Sequence, residues 1–134
     1  MGLFDLLFRR QPADFVNGSG WTIEVVGELH YQGNLLKQYR RAGGTGHDVT
    51  VGAVLTSESS NRFDENAVRV EIGGRVVGYL AGKRAAAYRR AVGTARGACS
   101  AKIVGGYAME DGRRAHFGVK LNLAWPPRFS SNQD

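Results

Sequence analysis

The most informative pattern in the chain is NRFDENAVRVEIGGRVVGYL, residues 61–80. Apolar and polar side chains alternate over residues 67–72, which is the period of a half-buried strand. Gly73 and Gly74 can both adopt the positive φ of a two-residue hairpin turn. Residues 75–80, rich in Val and Tyr, then return as a second strand. We therefore predict a tight hairpin, preceded by a polar loop at residues 61–66.

Similar patterns predict the other elements of the fold. Apolar alternation and helical periodicity place them along most of the chain. We expect strands near residues 21–27, 49–55, 98–107 and 115–123, and helices near residues 35–41 and 81–92. Asp111-Gly112 is a hairpin turn signal between the last two strands. About six strands and one or two helices predict a mainly β fold, a small OB-like antiparallel β-barrel with a helix closing one end.

The termini differ in character from the barrel. Residues 1–20 are predicted to be an N-terminal amphipathic segment and linker, residues 21–125 the barrel domain, and residues 126–134 a polar tail. Residues 1–10 place Leu and Phe side chains on one helical face. Such a face can dock a protein partner, pack against its own barrel or lie weakly on a membrane surface, and membrane contact is the least favoured of the three.

Composition narrows the classes of function. Eighteen Lys and Arg against twelve Asp and Glu give a formal charge of +6, which suits a polyanionic partner but also an ordinary basic protein. The single Cys99 excludes an internal disulfide and favours the cytoplasm. His30, His47 and His116 lack metal-ligand spacing, and no Ser carries an activating motif. We therefore expect no enzyme activity, no metal and no cofactor, and the absence of a long apolar run argues against a membrane span.

The pattern Asn-x-Phe-Asp-x-Asn-Ala-Val-x-Val followed by Gly-Gly-x-Val-Val-Gly-Tyr-Leu resembles the HIRAN domain, as a stand-alone bacterial-type member. Residues 25–31 are similar to the opening strand of that family. The resemblance implies an OB-related barrel that captures the 3′ end of single-stranded DNA. It also implies that Phe63 and Asp64 help to form the pocket for the terminal nucleotide, with the Asp accepting a hydrogen bond from the 3′-hydroxyl.

The candidate DNA-binding residues combine this resemblance with charge and aromatic content. Single-strand binders place aromatic faces beside a positive groove. The candidates are His30, Tyr31, Asn61, Arg62, Phe63, Asp64, Lys83, Arg84 and Arg90. Each has a structural alternative: Phe63 can plug the barrel, Asp64 can cap its loop, and the basic helix face can simply be solvated. Tyr79 and Tyr88 are predicted to be core residues.

The predicted function is a non-catalytic DNA-binding module that recognises single-stranded DNA or 3′ ends at damaged or stalled replication sites, in DNA repair. The end-binding HIRAN member has Arg-Tyr-Tyr where this chain has Leu29-His30-Tyr31, so general DNA binding is better supported than strict end recognition. The alternative is a protein-interaction or adaptor module with no nucleic-acid ligand, which could use residues 1–10 to dock its partner.

Overall fold

The predicted hairpin is present in the computed structural model, which describes residues 12–58 and 66–130. Its strands run antiparallel, with a register shift between Val70 and Glu71. Gly73 and Gly74 form the turn with φ of 61° and 79°. In the first strand of the hairpin, Val68, Val70 and Ile72 are buried, as the pattern predicted.

Seven strands and two helices make up the described part of the chain. The strands are β1 (Ala13–Asp14), β2 (Ile23–Val26), β3 (Val49–Ser57), β4 (Val68–Ile72), β5 (Arg75–Leu80), β6 (Gly97–Gly105) and β7 (Phe117–Asn122). The helices are α1 (Gln32–Arg41) and α2 (Gly82–Val92), and a 3₁₀ turn spans Glu28–Tyr31. None of the helices in the described ranges is long and apolar enough to cross a membrane.

Six of the strands close into an antiparallel barrel. The strand order is β6-β3-β4-β5-β2-β7, and pairing between β6 and β7 completes the ring. Every barrel strand contributes buried apolar side chains to one continuous core. The small OB-like α+β barrel predicted from the sequence is thus confirmed, with the two-residue β1 added in parallel beside the start of β6.

The two helices lie at opposite ends of the barrel. Tyr88 of α2 is fully buried, and its hydroxyl donates a hydrogen bond to the carbonyl oxygen of Ala95 at 2.6 Å. The Ser57 hydroxyl at the end of β3 lies 3.3 Å from the Gly93 carbonyl that follows α2. At the other end, Tyr39 of α1 packs against the Phe117 ring, with centroids 5.0 Å apart. The helices therefore define two distinct ends of the barrel, the α1 end and the α2 end.

The predicted first strand is shorter than expected. β2 ends at Val26, and Gly27 with a φ of 79° turns the chain into the 3₁₀ turn. His30 and Tyr31 therefore do not lie on a strand, contrary to the expectation from residues 25–31. Since β2 stops early, part of the β7 edge needs other hydrogen-bond partners.

Two side chains provide those partners. The Gln32 amide makes two bonds to one residue, accepting from the Phe117 N–H at 2.8 Å and donating to the Phe117 carbonyl at 2.9 Å. A Glu28 carboxylate oxygen lies 3.4 Å from the Val119 nitrogen. Gln32 thus pairs with the edge of β7 as a neighbouring strand would. It also begins α1 three residues before the predicted start at Leu35.

The segment predicted to be a linker is partly built into the fold. The Phe15 ring is buried and stacks on Phe129, with centroids 4.7 Å apart. The Phe15 N–H donates to the Ala98 carbonyl at 2.9 Å. A Cβ added at Gly97 would clash with the Phe15 ring, so the ring fits closely against bare backbone. Residues near both termini therefore pack on the barrel, where the sequence pattern predicted a linker and a polar tail.

Candidate nucleic-acid interface

A polar and aromatic cluster lies near Glu58 and Ala67, which flank residues 59–65 in the sequence. The Glu58 N–H donates to the Ala67 carbonyl at 2.8 Å, which ties these two points together. The Tyr79 hydroxyl lies 3.1 Å from both carboxylate oxygens of Glu58. Arg69 bridges two carboxylates, at 2.7 Å from Glu71 and 3.4 Å from Glu58. We call Tyr31, Glu58, Arg69, Glu71 and Tyr79 the Tyr79 cluster.

The environment fixes the protonation states within this cluster. Burial, the Glu58 carboxylate and the neighbouring Tyr31 hydroxyl together raise the pKa of Tyr79 above its ordinary value. Burial alone would lower the pKa of Arg69, but hydrogen bonds and charge from Glu71 and Glu58 outweigh it and raise that pKa. Tyr79 thus stays a neutral donor and Arg69 a cation. The carboxylate oxygens of Glu58 and Glu71 are hydrogen-bond acceptors, so the cluster suits a ligand that offers hydroxyl or amino donors.

Tyr31 and His30 approach this cluster from the 3₁₀ turn. His30 is exposed, and its ring centroid lies 6.5 Å from that of Tyr31 at an interplanar angle of 78°. Leu29, which precedes His30 in the same 3₁₀ turn, is an apolar side chain that is 66% exposed. The structure therefore places Tyr31 beside Tyr79, and His30 beside Tyr31.

Four predicted site residues, Asn61, Arg62, Phe63 and Asp64, lie outside the described residues. The predicted amphipathic helix at residues 1–10 lies outside them as well.

Helix α2 carries the other three predicted site residues. Ala85 and Tyr88 are buried and orient the helix, so that Lys83 and Arg90 are exposed on its outer side. Arg84 is half-buried, and its guanidinium carbon lies 4.8 Å from the Trp125 ring centroid. No carboxylate within residues 12–58 or 66–130 forms an ion pair with any of these three cations. Lys83 and Arg90 are thus available to an anion, whereas Arg84 has one face covered by an indole ring.

Comparisons with known proteins return no match: no protein-family model, no curated protein and no solved structure is similar to this chain. The resemblance to HIRAN domains therefore stays a prediction from the motif at residues 61–80. A small barrel of this kind supports many functions, so its function has to be argued from the surface.

Tyr79 and Tyr88 were both predicted to lie in the core, but only Tyr88 is buried there. Tyr79 is only half-buried, and it faces outward between the buried residues Gly78 and Leu80. Val77 and Gly78 are both buried and the pairing of β5 with β4 shifts register beside them, so simple alternation along β5 did not reveal the outward position of Tyr79. The contact with Glu58 was not predictable, because it joins residues from different hairpins.

Two further kinds of reactive group are metal-ligating clusters and the thiol of Cys99. No group of three His, Cys, Asp or Glu side chains in the described ranges could hold a metal ion. Burial raises the pKa of the Cys99 thiol to about 12. The thiolate is the nucleophilic form, so Cys99 is poorly suited to nucleophilic chemistry at neutral pH.

Proposed function

We propose that this protein is a non-catalytic DNA-binding module that recognises single-stranded DNA or its 3′ ends. The observation that carries the proposal is the shared position of α2 and the entry to residues 59–65. The Ser57–Gly93 hydrogen bond holds the end of β3 beside the end of α2. The last described residues before residues 59–65 and the helix that carries Lys83 and Arg90 therefore belong to the same end of the barrel.

The chemistry of the α2 end suits a single DNA strand whose 3′ end lies there. Phosphates would lie along α2, where Lys83 and Arg90 are exposed and no described carboxylate neutralises them. Bases could stack on His30 and Tyr31, since aromatic faces bind single strands with little sequence preference. The carboxylates of the Tyr79 cluster could accept a hydrogen bond from a free hydroxyl, which an internal phosphate does not offer. This arrangement supports recognition of an end, in keeping with the resemblance to HIRAN domains, and with a role at damaged or stalled replication sites in the cytoplasm.

Salt dependence of binding tests the proposal. Fluorescence anisotropy with a labelled oligothymidylate should give an affinity that falls with salt, with a log–log slope of about −0.7 for each phosphate contacted. The double variant Lys83→Gln/Arg90→Gln should make that slope shallower by about 1.4. The matched control is Lys37→Gln/Arg41→Gln, which removes two exposed charges from α1 at the other end. Equal effects of the two double variants would mean that binding follows net charge alone.

A protein-interaction module is the second candidate, and one observation favours it. Val26, which is 43% exposed, pairs with Tyr79 across β2 and β5, and Leu29, three residues later in the chain, is 66% exposed. Exposed apolar residues that lie together are typical of protein contact sites. A lack of DNA binding at low salt would favour this candidate, with residues 1–10 as a further docking element.

A further inference from the structure

A groove at the α1 end of the barrel has the features of a separate ligand site. It has a volume of about 280 Å³, close to the lower end of the range for small-molecule clefts. The α1 end and the loop after it supply one wall, and the β6–β7 connection supplies the other. Its lining residues are Tyr39, Arg40, Gly44, Thr45, Gly46, Gly106, Tyr107, Ala108 and Arg114. We call it the Tyr107 groove.

Buried Tyr39 holds one wall of this groove in place. Its hydroxyl accepts a hydrogen bond from the Gly46 N–H at 2.6 Å and donates one to the His47 carbonyl at 2.9 Å. The Gly44 N–H donates to the Tyr39 carbonyl at 2.9 Å. A Cβ at Gly44 would clash with the Tyr39 ring, so only glycine allows this close approach. The wall is therefore preformed, which lowers the entropic cost of binding a ligand.

The groove is positively charged. Arg40 and Arg114 line it from opposite walls, and none of the lining residues carries a carboxylate. An Arg114 guanidinium nitrogen donates to the Gly106 carbonyl at 3.1 Å, which anchors the side chain and leaves its other donors available. The nearby Asp111 carboxylate is held by Arg113 at 2.7 Å, and it lies outside the lining. Two guanidinium groups without a carboxylate favour a phosphate ligand.

Tyr107 adds a planar apolar surface beside these charges. It is 57% exposed, which is unusual for a large aromatic residue and leaves much of the side chain open to solvent. Aromatic rings beside a phosphate site are the usual means of binding a nucleobase. We propose that the Tyr107 groove binds a nucleotide unit, with its phosphate between Arg40 and Arg114 and its base on Tyr107. The unit is either a free nucleotide or one nucleotide of a strand.

This site is distinct from the interface proposed above. β3 runs from beside the groove to the entry of residues 59–65, a path of about 26 Å at the usual rise of a strand. Nucleotide binding here therefore does not depend on Lys83, Arg90 or the Tyr79 cluster. Either proposal can fail while the other holds.

Nuclear magnetic resonance can test the proposal on the full chain. Backbone amide shifts would be followed during titration with thymidine 5′-monophosphate, thymidine, inorganic phosphate and a short oligothymidylate. We expect the monophosphate to shift the amides of residues 44–46 and 106–108 more than thymidine or phosphate alone does. If the monophosphate shifts these amides, a free nucleotide is sufficient for binding. If only the oligothymidylate shifts them, the ligand is one nucleotide of a DNA strand. The absence of shifts in these residues with both ligands would overturn the proposal.

Variants separate the contributions of charge and ring. Arg40→Gln should weaken binding about tenfold or more, because a charge-assisted hydrogen bond to phosphate is lost. Arg41→Gln is the matched control, an exposed charge on the same helix that does not line the groove, and it should change affinity by less than about twofold. Tyr107→Ala should weaken binding about fivefold or more. Equal effects of the two arginine variants, or equal shifts from phosphate and nucleotide, would refute a built nucleotide site.

Discussion

Replacing Gln32 with Ala should destabilise the barrel, because this amide takes the place of a strand at the edge of β7. The substitution removes both partners of Phe117, one for its N–H and one for its carbonyl. A buried backbone group without a partner costs about 1–3 kcal/mol, which gives about 2–6 kcal/mol for the pair. Gln32 is only half-buried, so water can replace part of the loss. We therefore expect a decrease of about 2–3 kcal/mol in the free energy of unfolding, or about 6–12 °C in Tm.

Urea denaturation followed by circular dichroism measures this change, and hydrogen exchange locates it. The Phe117 amide should exchange faster in Gln32→Ala, because its hydrogen bond is gone. Lys37→Ala, on the exposed side of the same helix, is the control and should change stability by no more than about 0.5 kcal/mol. A Gln32→Ala protein with unchanged stability and unchanged Phe117 exchange would refute the idea that this side chain substitutes for a strand.

Gln32→Glu adds a pH-dependent check. The carboxylate can still accept from the Phe117 N–H, but it cannot donate to the Phe117 carbonyl while ionised. The neutral form is therefore favoured in the folded protein, so the folded pKa of this carboxyl should lie above the ordinary Glu value of about 4.3. The stability that the neutral carboxyl contributes is fully present below a pH of about 4.3. It is lost as pH rises through the folded pKa. If the free energy of unfolding of Gln32→Glu falls below that of the parent protein by the same amount at low and neutral pH, residue 32 does not stabilise the fold as a donor to the Phe117 carbonyl.

Three further perturbations have defined outcomes. Phe15→Ala should lower the free energy of unfolding by about 3–5 kcal/mol in urea titrations, since it empties a buried aromatic site, and a loss below about 1 kcal/mol would show that β1 is dispensable. Asp64→Asn should reduce any preference for a 3′-hydroxyl over a 3′-phosphate oligonucleotide about tenfold in anisotropy measurements, whereas a lower Tm with unchanged preference would indicate a loop cap. Cys99 should resist thiol reagents at pH 8 until the protein is unfolded; because its folded pKa is raised to about 12, stability should fall as pH rises above the thiol's ordinary value of 9.0.

The barrel was largely predictable because its signals are local. Gly73-Gly74 between two alternating runs specifies a hairpin, and the spacing of Ala85 and Tyr88 specifies the buried stripe of α2. These patterns need no knowledge of distant residues. The first strand was predicted too long, because Gly27 permits a turn that alternation alone does not reveal.

The missed features depend on contacts between distant parts of the chain. Strand β1 (Ala13–Asp14) is too short to show a periodic pattern of apolar residues. Its pairing is stabilised by Phe15, which packs on Phe129 near the other terminus. The Tyr79 cluster was missed for the same reason, since Glu58 and Tyr79 meet only when two hairpins are assembled. At the candidate site, the sequence indicated the exposed cations of α2, but not the carboxylates that Arg69 and Tyr79 contact.

The pairing of residues near the two termini has a consequence for how this domain can be joined to others. The Ser130 N–H donates to the Asp14 carbonyl at 2.8 Å, and the Val16 N–H donates to the Arg128 carbonyl at 2.9 Å. The entry and exit points of the described polypeptide are thus neighbours on one edge of the barrel. A domain with adjacent ends can be inserted into a surface loop of a host protein without separating the flanking host segments. The ring centroid of Phe15 lies 5.9 Å from that of Tyr88 in α2, so such a chimera would be joined to its host near the α2 end of the barrel.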